Sequence, residues 1–184
     1  MDPMPTADET IEATRQWLER AVIGLNLCPF AKAVHKKGQV RFVISDAEQP
    51  LPLHDELVRE LKFLRDADPE VVDTTLLIHP RVLGDFMDFN DFLEIADDTV
   101  AELSLDGQIQ VASFHPDFQF EGTAPDDITN YTNRSPFPTL HLLREASIDR
   151  AVAAFPDAAS IFEANMATLD ALGHDGWRAL FPKA

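Results

Sequence analysis

One cysteine, one tyrosine, two tryptophans and seven glycines in 184 residues leave several chemistries without their raw material. Cys28 has no second thiol, which excludes an intrachain disulfide, a CxxC redox pair and a cysteine-knuckle metal site. That fits a reducing compartment. No uncharged apolar run approaches the roughly 18 residues needed to span a bilayer. The opening Met1-Asp2-Pro3-Met4-Pro5 lacks the basic and apolar stretches of a secretory signal, so the chain is expected to be cytoplasmic with no membrane partner. GxGxxG, Walker and HExxH patterns are absent, and with them the usual marks of dinucleotide, nucleoside-triphosphate and zincin sites. Neither an internal repeat nor a low-complexity tract interrupts the chain.

Cations are scarce as well. Fifteen Lys and Arg stand against 32 Asp and Glu, a formal charge of −17, so a nucleic acid would be repelled before contact. Residues 82–133 contain no Lys or Arg, while Asp85, Asp88, Asp91, Glu94 and Glu121 are among the acids that fall there. Arg134 ends that stretch. What is present is a globular composition, 45% hydrophobic with 13 phenylalanines, enough to build a core.

Thr6-Ala-Asp-Glu9 reads as a capping box, and Ile11, Leu18, Ala21, Val22 and Leu25 continue a helix from about Asp8 to Gly24. Gln39 to Ser45 alternates as a strand, Leu53, Leu57, Leu61 and Leu64 mark a helix, and Thr74 to Ile78 reads as a buried strand. Phe86, Phe89, Leu93, Ala96, Val100 and Leu103 form one apolar stripe, and Gln108 to Phe114 is a third strand. Two of these strands exit at His-Pro, His79-Pro80 and His115-Pro116. Ser135-Pro136 reads as a helix start, with Leu140, Leu143, Ser147, Ala151 and Ala154 continuing to a break at Phe155-Pro156-Asp157. A last helix is expected to stop at Gly173. Strands separated by helices predict an α/β domain over residues 1–184: a small, mostly parallel sheet of about three strands, with helices packed on it and the strand carboxyl ends sharing one edge.

Leu27-Cys-Pro-Phe-Ala31, Ala112-Ser-Phe-His-Pro-Asp-Phe-Gln-Phe120 and Asn130-Tyr-Thr-Asn-Arg-Ser-Pro-Phe-Pro-Thr-Leu-His-Leu-Leu-Arg-Glu145 carry a resemblance. The chain resembles, over nearly its whole length, an uncharacterised bacterial and plastid family known as a domain of unknown function. The resemblance implies no activity, cofactor or catalytic residue, so function must be argued from side-chain chemistry.

Three constellations present themselves. Arg134 and Ser135, with Asn133, at a helix N-terminus would offer a guanidinium, a hydroxyl and free N–H groups to a carboxylate or phosphate. The competing use of Arg134 is pairing with Asp126 or Asp127. His115, Asp117 and His141 have the His-x-Asp…His form of a facial triad for a divalent metal, the one cofactor the residues suggest. His115, His79 and Cys28 are the candidate catalytic groups, with a histidine as base and Cys28 either a thiolate activated by His35, His79, His115 or His141, or an inert packed thiol. The acids Asp85, Asp88, Asp91 and Glu94 are read as a solvated helix face, and His54 and His174 as surface residues. The expected function is therefore a small-molecule enzyme that binds an anionic substrate at the strand carboxyl ends, with metal assistance an option. The alternative is a non-catalytic ligand- or partner-binding protein.

Overall fold

The structure, a computed structural model, describes residues 3–154, 157 and 160–183. Helix α1, Ala7–Trp17, opens with the capping box: the Thr6 hydroxyl accepts from the Glu9 amide, and the Glu9 carboxylate accepts from the Thr6 amide. A wider π turn, Leu18–Ile23, follows, and the Gly24 amide reaches back five residues to the Glu19 carbonyl at 3.0 Å. A Cβ on Gly24 would stand 2.2 Å from the Arg20 carbonyl oxygen, so only glycine can close this turn. Then come α2 (Ala31–Lys36), β1 (Val40–Ile44), α3 (Pro50–Asp66), β2 (Thr74–Ile78), α4 (Phe86–Glu102) and β3 (Ile109–Phe114). Apart from α2, which no apolar spacing announces, those strands and helices form where the spacing of apolar residues predicts them.

Beyond β3 the expectation fails. Residues Thr139–Arg144 form a strand, β4, where a helix starting at Ser135-Pro136 was expected, and helix α5 begins only at Glu145 and runs to Ala154. The leucines at 140, 142 and 143 satisfy a period of two as well as a three-four spacing, so local pattern leaves the choice open. Long-range pairing decides it. β4 lies between β2 and β3 and pairs antiparallel with both, Leu140 facing Leu77 on one side and Ser113 on the other. The sheet therefore has four strands in the order β1-β2-β4-β3 and is mixed, correcting the expectation of a mostly parallel sheet of about three strands. β1, β2 and β3 nevertheless run the same way, because β2 and β3 are each antiparallel to β4, so their carboxyl ends do share an edge.

Two crossovers of the same hand that step in the same direction place their helices on one face of a sheet. Here α3 and α4 cover one face, where Leu53, Leu57, Leu61, Leu64, Phe89 and Ala96 meet Leu77, Leu140 and Leu142, all fully buried. On the other face Trp17, Leu18, Ala21 and Val22 pack with Phe42 and Phe114 and with Trp177 and Phe181. Trp177 lies on α6, Ser160–Ala179, which passes the expected stop at Gly173 with a kink (φ 68°, ψ 175°) and then resumes. Of the expected break at Phe155-Pro156-Asp157, Phe155 and Pro156 lie outside the described residues. His54 is not simply a surface group, since its Nε2 meets the Thr99 hydroxyl at 2.9 Å and ties α3 to α4.

Phe89, in the first turn of α4, is fully buried in this core. Replacing it by alanine is expected to cost about 3–5 kcal/mol in urea unfolding.

Candidate functional site

Each parallel strand hands its chain to a turn at the carboxyl edge, and there the two His-Pro exits sit side by side. The His79 amide donates to the Pro138 carbonyl at 2.9 Å, and its ring Nδ1 donates to the Val82 carbonyl at 3.0 Å. That bond fixes the proton on Nδ1 and leaves Nε2 a bare lone pair, buried and without a hydrogen-bond partner among the described residues. The His115 amide donates to the Asn133 carbonyl at 3.1 Å. Its Nε2 donates to the Leu83 carbonyl at 3.0 Å, so Nδ1 is free to accept the Asp117 amide at 3.0 Å. Both rings lie against Phe89, with centroids 5.6 and 5.1 Å away, and Phe86 covers His115 at 5.4 Å.

The two imidazoles grip one turn. Leu83 is held at φ 59°, a left-handed conformation that costs a leucine roughly 1–2 kcal/mol, and the carbonyls on either side of that strain are the acceptors of His79 and His115. Burial holds both rings neutral. It pushes the His79 pKa down to about 4 against the opposing pull of the Val82 carbonyl, and it lowers that of His115.

The 116–134 loop is ordered by polar side chains that bind its backbone. Buried Asn130 accepts the Phe120 amide and the Thr123 hydroxyl, each at 2.9 Å, and donates to the Ala124 carbonyl at 2.9 Å. Asn133 donates to the Ser113 carbonyl at 3.0 Å, on the outer edge of β3. Arg134 donates through Nε to the Phe118 carbonyl at 3.0 Å and through Nη2 to the Pro125 carbonyl at 2.6 Å, with its guanidinium 4.5 Å over the Tyr131 ring. It pairs with neither Asp126 nor Asp127; Asp127 instead caps Thr129. Ser135 donates its hydroxyl to the Phe137 carbonyl at 2.6 Å, the reverse of an N-cap, which accepts. The helix N-terminus that was to complete an anion site with Arg134 is absent, because the chain continues into β4.

The proposed metal set does not assemble. His141 sits in β4 opposite Ala112, roughly 10 Å along the strand from His115 at about 3.3 Å per residue. It also faces the other side of the sheet, 5.8 Å from Phe114, where its Nε2 donates to Thr74 Oγ1 at 2.7 Å. Among the described residues no group of three or more His, Cys, Asp or Glu could hold a metal ion. Cys28 packs on that same far face with Trp17 and Phe114, and burial raises its thiol pKa over the opposing amides of Phe30 and Ala31.

The family model described as "Protein of unknown function (DUF1415)" matches residues 9–179. The chain belongs to that family. No curated protein and no solved structure matches it. No helix among the described residues of this DUF1415 chain is long and apolar enough to cross a membrane.

Sequence reasoning missed Asn130 and Thr123, since a lone Asn in a polar loop has no period to betray it. It also missed the open cavity beside the histidines. That cavity, about 420 Å³, is walled by Phe86, Met87 and Asn90 of α4 and by Phe120 and Glu121 of the loop. Phe118 of the loop packs on Phe86 at 5.2 Å and on Phe120 at 4.9 Å, and Phe86 in turn covers His115, so a layer of rings separates the cavity from His115.

Two outcomes follow from this geometry. With His79 at about 4 when folded and 6.5 as a free imidazole, both states are neutral above the upper value. Below it the unfolded chain gains a proton that the folded ring refuses, so stability falls from about pH 6.5 to about 4, by roughly 3 kcal/mol for this group. His141, also near 4 through burial, acts in the same direction. Urea unfolding across that window should show the slope, and His79→Gln should flatten it. Second, Cys28 should alkylate far more slowly in native protein than in urea near neutral pH, and a thiol-reagent time course measures it.

Proposed function

We propose that the protein binds a small organic molecule at the carboxyl edge, in the cavity between the start of α4 and the 119–122 segment, and that this ligand is aromatic and neutral or cationic. One observation carries the reading: ring-walled space on a surface whose own sequence, residues 82–133, supplies acids and no cation. Phe86 and Phe120 offer flat apolar faces, Met87 an adaptable thioether, and Glu121 a carboxylate for an amine. The grounds for expecting an anion at this edge have gone, since Arg134 serves two carbonyls and no helix begins at Ser135. Binding without catalysis thus takes precedence over the enzyme reading.

Catalysis keeps one specific support, the bare Nε2 of His79. As a general base it would reach a substrate only if the packing around its fully buried ring opened, and His115, with both ring nitrogens engaged, would act as its neighbour rather than as the base.

Aryl amines and matched aryl carboxylates, titrated by ligand-observed NMR, test the reading. The amines should saturate and the carboxylates should not, and Phe120→Ala should weaken the amines several-fold. Equal behaviour of wild type and Phe120→Ala, or no saturation, overturns it. Turnover of any bound amine that His79→Gln abolishes while binding persists would select the catalytic version.

A further inference from the structure

The opposite edge of the sheet has the reverse character. Where β4 ends and β3 begins, a second cavity of about 290 Å³ opens, walled by Arg65 from the end of α3, Gln108 from the turn before β3, Arg144 from the end of β4, and Ser147 and Arg150 from α5. Its wall holds three of the chain's 15 basic residues and none of its 32 acidic ones. Scatter would rarely produce that in a chain of net charge −17.

Guanidinium commitments sharpen the point. Arg65 forks onto Asp66 through Nε and Nη2 at 2.8 and 2.9 Å, leaving Nη1 over. Arg144 gives Nη2 to two neutral acceptors, the Ala67 carbonyl at 3.1 Å and the Val72 carbonyl at 2.9 Å, and its buried Nε has no partner among the described residues. Arg150 donates to the Ser147 hydroxyl at 3.2 Å, and that hydroxyl is itself anchored on Asp73 at 2.6 Å. Neither Arg144 nor Arg150 has a carboxylate in ion-pair contact among the described residues. Asp66 bonds Arg65, Asp73 bonds Ser147, and Asp68 and Asp73 act on Arg144 through their charge, but none of the three lines the cavity. Burial lowers the Arg144 pKa against the opposing charges of Asp73 and Asp68. The first turn of α5, ten residues long, adds amides without intrahelical partners at Ala146 and Ser147.

We propose that this cavity, bounded by Arg65, Arg144 and Arg150, is a binding site for a small phosphate-bearing molecule. Phosphate carries about −1.5 to −2 charges near neutral pH and three acceptor oxygens, which matches convergent guanidinium donors better than a single carboxylate does. A volume of about 290 Å³ lies at the small end of the roughly 300–1,000 Å³ range of ligand cavities, so the occupant is free phosphate or a short phosphate ester. This site is independent of the aromatic cavity, and either can fail alone.

Calorimetric titration at low ionic strength with inorganic phosphate, glycerol 1-phosphate and succinate tests it. Saturable phosphate or glycerol phosphate binding is expected, with succinate weaker and affinity falling as salt rises. Tighter glycerol phosphate identifies an ester site, and equal affinities a free-phosphate site. Arg150→Gln and Arg65→Gln, both at exposed guanidinium groups, should each weaken binding about tenfold, while Phe120→Ala leaves it intact. Aryl-amine binding, where present, should survive Arg150→Gln. No saturation by either phosphate compound, or unchanged affinity in both arginine variants, overturns the proposal.

Discussion

The insertion of β4 between β2 and β3 is the constraint on which the rest depends. Without it, β2 and β3 would present facing rows of unpaired backbone groups, a cost that a buried sheet cannot carry. With it, the chain must leave β3 at the carboxyl edge, turn back and enter β4 from that same edge, which makes the 116–134 loop obligatory. The same antiparallel course carries Arg144 to the far edge, beside the end of α3 and the start of β3. Both cavities are thus consequences of one strand-pairing choice.

A loop that long has many backbone groups with no regular partner, and the side chains around it are chosen accordingly. Asn130, Thr123, Asn133, Arg134 and His115 each bind one or more main-chain groups. Each such bond contributes only about 0.5–1.5 kcal/mol net, yet leaving a buried group unpaired costs about 1–3 kcal/mol, so the set behaves as a unit. The residues that look most chemical in the sequence are therefore the ones that build the loop. A polar residue in that role is indistinguishable from a ligand by its type alone, because both roles require directional donors.

How much was legible follows from where the deciding forces act. Leu53, Leu57, Leu61 and Leu64 show their helix because all four face the core, and Thr74 to Ile78 shows its strand because every residue in it is buried. Those are local patterns written by burial. β4 was hidden because Leu140 and Leu143 fit a helix as well, and its partners lie more than 60 residues away on one side and about 30 on the other. The continuation of α6 past Gly173 depends on Trp177 reaching Tyr131, a contact that no window around the glycine contains. For the candidate site, the two His-Pro exits located the carboxyl edge, and the shared direction of β1, β2 and β3 placed both histidines there. Their bonding was not legible, since it turns on which carbonyls the left-handed Leu83 turn presents.

Charge completes the picture, because sequence and fold distribute it differently. Along the chain the acidic excess lies in residues 45–133, with 21 acids against four bases, while residues 1–44 and 134–184 are near balance. Folding then sorts those residues by edge: Asp85, Asp88 and Glu121 gather where α4 starts, and Arg144 and Arg150, from the balanced final segment, meet Arg65 at the other end. At physiological ionic strength the Debye length is about 8 Å, so the net charge governs the approach of a ligand while only nearby groups govern its final contacts. An anion that reaches the arginine wall is held by its local field, although the molecule as a whole repels it. The two ends of one sheet can therefore prefer ligands of opposite sign, and net charge alone predicts neither preference.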